Sequence, residues 1–191
     1  MKTKRVFVMI GALCVCALIA GKVLSSEQPV DPFSNFGYYV EHIDELDDNN
    51  FEHVCFIAQK YMSDGALKEG YNDGDPMPDY NKAKEYYEKA ISIQSDNPMP
   101  YRGMAMLSEY AYKNKDDALE YSLKAIDLGW EYYDVYVIAG FILYERGEVE
   151  KAKELLVVAK EGMEYNKDSE PDLLESEEYK KVLKILKTGL S

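Results

Sequence analysis

The sequence predicts an all-α chain built as a solenoid of helical hairpins, and three observations carry that prediction. Alanines recur in pairs seven residues apart: Ala83 with Ala90, Ala118 with Ala125, and Ala152 with Ala159. The pairs are evenly spaced, 35 residues from Ala83 to Ala118 and 34 from Ala118 to Ala152. Each pair is preceded by a second amphipathic stretch, with a turn between the two. Positions seven apart lie two helical turns apart on one stripe, and alanine there lets a neighbouring helix approach closely. The bulky residue between the alanines, Tyr87 or Leu156, fills the space that remains. Ser122 takes that place in the second segment, so packing there is expected to be thinner. A single helix pair cannot bury its own apolar face, so the pairs must stack.

The elements follow in chain order. Residues 1–25 open with a basic stretch (Lys2, Lys4, Arg5), and an unbroken run of fifteen apolar or small residues extends from Val6 to Ala20. Charge, then apolar residues, then small residues is the layout of a secretory signal peptide. Cleavage is expected near Ser26, or earlier near Ala20 or Gly21. An uncleaved anchor over residues 6–24 is the alternative, since a span needs roughly 20 apolar residues. In either case the basic end stays cytoplasmic and the acidic remainder is exported. Leu13 and Val15, before Cys14 and Cys16, are too bulky for a lipoprotein site. Residues 26–37 read as a tether, and 38–191 as the repeat domain.

Within that domain, Tyr39, His42, Ile43 and Leu46 mark a short helix. Asn50 is placed to cap the next one. That helix, from Phe51 to Met62, turns Val54, Ile57, Ala58 and Tyr61 inward, and sixteen residues, 63–78, link it to its partner at 79–90. The second pair has Tyr101, Met104, Ala105 and Ser108, then a turn at Asn114–Asp117 with one extra residue. The third has Tyr136, Ala139, Gly140 and Leu143, then Gly147. At the end Ser176 caps a helix marked by Tyr179, Val182, Leu183 and Leu186. Its polar and apolar faces suit a terminal cap.

Composition narrows the function. With 22 Lys plus Arg against 35 Asp plus Glu, the net charge is −13, which repels nucleic acid and anionic lipid. Hydrophobic residues at 47% and charged residues at 30% suit a folded globular chain. Beyond the leader only Cys55 remains, so no intramolecular disulfide forms and the core must hold the fold. Cys55 reads as a packing or groove-lining residue. There is no glycine-rich phosphate loop, no His-Glu-x-x-His and no nucleophile elbow. His42 and His53, without a cysteine pair, do not make a zinc set. Residues 72–79 look like a calcium loop only faintly, with the glycine misplaced. The sequence therefore predicts no catalytic residue, no cofactor and no metal ligand.

The three copies resemble the tetratricopeptide repeat family. Tyr136, Ala139, Gly140 and Leu143 take the family's first-helix places, Gly147 the turn, and Ala152, Leu156 and Ala159 the second-helix places. The long 63–78 link and Tyr86-Tyr87-Glu88-Lys89-Ala90 are similar to the Sel-like subclass. The resemblance spans roughly residues 51–165 and implies a right-handed solenoid of about three repeats with terminal capping helices. It also implies that the first helices line a concave groove. The places facing that groove are Gln59 and Met62, then Met99, Arg102, Met106 and Tyr110, then Asp134, Val137, Phe141 and Tyr144, with Glu52, Cys55, Glu109 and Glu145 among them. Such a mixture of apolar anchors and acids suits a peptide or amphipathic helix carrying apolar and basic side chains. Some family members clamp a C-terminal carboxylate with lysines and asparagines. Here Arg102, Met106 and acids stand there, so that function is not carried over, and Arg102 is expected to form a surface ion pair with Glu109 or Asp134. The predicted function is an exported or membrane-tethered protein-interaction module. The alternative is a small-ligand- or metal-binding protein, or an enzyme, that uses the 63–78 loop.

Overall fold

A computed structural model of the chain describes residues 45–63 and 78–188, all within the unit Asn35–Ser191. The leader, the tether, nearly all of the expected 38–46 helix and the body of the 63–78 link lie outside the described residues.

Several of the α-helices begin on a capping side chain. Helix α1 (Phe51–Ser63) starts at Asn50, whose Oδ1 accepts from the His53 N–H at 3.2 Å. Val54, Ile57 and Ala58 turn inward as predicted, and Phe56 is buried as well, beside Leu46. Helix α2 (Tyr80–Ile93) is capped by Asp79, which accepts from the Lys82 N–H at 3.1 Å. Helix α3 (Met99–Met106) follows Pro98. It runs on as a π-helical segment over Leu107–Tyr112, which stops at Lys113 in the left-handed region, φ 55°.

That segment corrects one expectation. The extra residue of the second copy was expected in the turn, yet the structure absorbs it in the helix. The Lys113 N–H reaches back five residues to the Ser108 carbonyl, the bonding of a π turn. Helix α4 (Lys115–Asp127) then starts on Asn114, which accepts from the N–H groups of Asp116 and Asp117. Helices α5 (Tyr133–Glu145) and α6 (Val149–Tyr165) meet at Gly147, whose φ of 81° closes the turn. Two 3-10 turns (Asn166–Asp168 and Leu173–Glu175) lead to α7 (Glu177–Lys187), capped by Ser176 as the sequence predicts.

Each helix packs on its neighbours in the chain, and the first helices of successive hairpins also touch, α1 with α3 and α3 with α5. The result is a stack of helical hairpins, α1/α2, α3/α4 and α5/α6, closed by α7. The six marker alanines are all fully buried. Helix α5 sits at the centre and is buried nearly all round, through Val135, Ile138, Ala139, Ile142 and Leu143 among others. Burying a side chain such as Leu156 contributes about 1.5–3 kcal/mol. Its bulk fits because Gly140 faces it: a Cβ added there would lie 2.6 Å from the Leu156 side chain. Tyr87 is seated in the same way over Gly103. Ser122 is fully buried and its Oγ makes no hydrogen bond, so the thin spot read from the sequence is also a polar one.

Candidate partner groove

The places expected to face a groove lie on α1, α3 and α5, which touch in series, and residues of α7 stand near them. On α1, Gln59 is half-buried and its Oε1 accepts from the Tyr87 hydroxyl at 3.1 Å. Met62 packs half-buried against Ala58 and Tyr87 and their neighbours. On α3, Met99 leans on the Phe51, Val54 and Ala90 cluster, and Met106 on the cluster of Ala118, Ile138 and Ala139. Gln59, Met62, Met99 and Met106 thus keep part of their surface open.

Three expected places differ. Cys55 is 2% exposed and belongs to the core. Burial, with Glu52 nearby, pushes its thiol up to about 12, so it is packing and not groove. Val137 is 3% exposed and packs with Leu156 and Met163. Central α5 is covered on both flanks, so Val137 is a floor and not a contact surface. Arg102 pairs with Asp134, one of the two partners expected, but not at the surface. The Nε–Oδ2 distance is 2.6 Å and the side chains are 16% and 14% exposed. The indole N–H of Trp130 donates to the other Asp134 oxygen at 3.0 Å, and the guanidinium lies 5.6 Å from the Trp130 ring centroid. Arg102 and Asp134 are thereby committed to joining the second hairpin to the third.

The third hairpin's share of the groove is partly covered by the chain itself. Helix α7 crosses it. The Tyr110 hydroxyl donates to Glu178 Oε1 at 3.3 Å. Lys181 Nζ stands 4.0 Å from the Phe141 ring centroid and 3.7 Å from Glu145 Oε1. Phe141 and Tyr144 pack, partly buried, against the core that holds Tyr179, Val182 and Ile185. Phe141 is thus shared with Lys181, and Tyr144 keeps only part of its surface open. Lys115 also bonds Glu145, and that hydrogen bond is the main cause holding its carboxyl below the ordinary 4.5.

Between these elements lies a cleft of about 260 Å³. Glu109 and Tyr110 form one wall, Val137 and Phe141 the floor, and Glu178 and Lys181 the other wall. Glu109 and Tyr110 come from the π segment, so the absorbed residue helps to shape this wall. Oε2 of Glu109 is buried and accepts no hydrogen bond. Burial raises the Tyr110 phenol above its ordinary value, with Glu178 adding to the effect.

Sequence reasoning missed the contribution of α7 to this face. A signal for it exists: Tyr179, Val182, Leu183 and Leu186 repeat the three-one-three spacing of Tyr136, Ala139, Gly140 and Leu143. Among the described residues no group of three or more His, Cys, Asp or Glu is arranged to hold a metal. No helix among them is long and apolar enough to cross a membrane.

No protein-family model matches the chain, and no curated protein matches it. Among solved structures, the chain is similar to the crystal structure of MamA protein, at 17% sequence identity and a TM-score of 0.44, over 84% of this chain and 92% of that one.

Proposed function

We propose that this chain is a tetratricopeptide-like protein-interaction module, exported or held at a membrane by its first 25 residues. In this reading a partner's extended segment or helix lies along the inner face of the first two hairpins. The observation that carries it is the serial contact of α1, α3 and α5, which supports reading their partly open places as one surface. Met62, Met99 and Met106 offer adaptable apolar contact there, and flexible thioethers suit a surface that must mould to a guest. With Glu52 and Glu109 on the same helices and a net charge of −13, basic as well as apolar side chains are favoured on the guest.

Site-specific photo-crosslinking in cells tests this. A photoreactive residue at Met106 should capture a discrete protein partner, and one at exposed Glu120 on α4 should not. Equal capture at both positions, or capture at Glu120 alone, would remove the inner face from consideration.

A further inference from the structure

We propose that the cleft between α3, α5 and α7 binds the basic head group of a partner's lysine or arginine, and that Lys181 fills the same place in the free protein. The inference rests on the interaction-module reading and gives the guest's chemistry at one point of the groove.

Four features of the cleft point the same way. Its volume of about 260 Å³ exceeds that of a few waters, at roughly 30 Å³ each, and accommodates one long side chain. Its lining is acidic, with Glu109, Glu177 and Glu178 against Lys181, and of these acids Glu177 is paired with Lys180 at 2.7 Å. Glu109 Oε2 is buried without a hydrogen-bond donor, a condition that costs stability until an N–H arrives. The aromatic rings of Tyr110 and Phe141 line it, and ring faces attract cations.

Lys181 shows that a cation is accepted. Its ammonium sits over Phe141 at 4.0 Å, yet its side chain is 46% exposed and its ion pair with Glu145 is 3.7 Å long. A pair that open is weak. Lys181 can therefore swing out while α7 stays docked through the buried Tyr179, Val182 and Ile185. A guest cation gains the ring face that Lys181 vacates and, once the Glu109 carboxylate turns towards it, supplies the donor that the shielded Oε2 lacks. Lys115 does not compete for the position, since it is bound to Glu145, and with Lys113 5.9 Å over the Tyr110 ring the Phe141 ring is the face a guest gains.

The test is a titration of the full-length, isotope-labelled chain with tetralysine amide at low ionic strength, followed by amide shifts. Saturable shifts should centre on Tyr110, Phe141 and Lys181, and fully acetylated tetralysine should produce none. Lys181→Met, which keeps the aliphatic stem, should tighten binding about 2- to 5-fold, the worth of one exposed cation–π contact. Glu109→Gln should weaken it by a similar factor, and Glu120→Gln on α4 should leave it unchanged. Shifts scattered over the acidic surface, or affinities indifferent to both Glu109→Gln and Lys181→Met, would overturn the assignment. Its failure is separable from that of the wider reading, because a Met106 crosslink can persist without this site and this site can bind tetralysine without a Met106 crosslink.

Discussion

Gly103→Ala is the substitution on which helix propensity and tertiary packing disagree most sharply. In the middle of a helix, glycine to alanine is expected to stabilise by about 1 kcal/mol. Here the added Cβ would stand 2.2 and 2.3 Å from two carbons of the Tyr87 ring. Carbon atoms prefer separations of roughly 3.5–4.0 Å, so the ring or the helix must retreat by more than an ångström. Tyr87 is 2% exposed and its hydroxyl is tied to Gln59, so there is no free direction for the retreat. Overpacking of this kind costs about 1–3 kcal/mol, and at the upper end it outweighs the propensity gain by about 2 kcal/mol. For a chain of this size that is a fall in Tm of about 4–8 °C. Thermal melts followed by far-UV circular dichroism would measure it. Tyr87→Leu in the same chain should recover part of the loss, giving a coupling of about 1 kcal/mol in the double-mutant cycle. A Gly103→Ala protein that melts above the parent temperature would refute the seating of Tyr87 over Gly103, and with it the close packing of the first two hairpins.

Three further outcomes are expected. Ser122→Ala removes a buried hydroxyl that makes no hydrogen bond, so urea denaturation should show a gain of about 1 kcal/mol; a loss would mean the hydroxyl has a partner. Glu164 is held below the ordinary 4.5 by hydrogen bonds, chiefly from Lys160 and then from Tyr179, whose phenol the same bond pushes up to about 12. The carboxylate's contribution is present above pH 4.5 and is lost as pH falls below it, while the phenol's is present below pH 10 and is lost as pH rises from 10 towards 12. Urea midpoints of Glu164→Gln should accordingly lose slope at both ends of the pH range, and an unchanged profile would contradict the pairing. With Cys14 and Cys16 replaced by serine, Cys55 should resist alkylation in the native state and react only as fast as the chain opens, since burial keeps its thiol protonated. Rapid labelling of the folded protein would count against its place in the core.

The repeat was legible before any coordinates because it is local. Alanines seven apart, Gly147 at its turn, and Asn50 and Ser176 at their helix starts all act through a few neighbouring residues, and the structure keeps each where the pattern placed it. The inward set of α1 was legible for the same reason, since one face of a helix is determined by its own period. What the pattern could not contain was anything that depends on a second helix's position. The extra residue of the second copy fits a turn or a π segment equally well by count, and only packing selects the π segment that delivers Glu109 and Tyr110 to the cleft. Arg102 had two acids within reach, and the stacking of α5 on α3 selected Asp134. Helix periodicity alone presents Phe141 and Tyr144 as open groove. Both are partly buried against a core to which α7, more than thirty residues downstream, contributes, and Lys181 of α7 stands over Phe141. Local chemistry thus determined which residues form helices and which side of each is apolar. The relative placement of helices distant in sequence, set by long-range burial and charge, decided how much of each helix's remaining surface stays open.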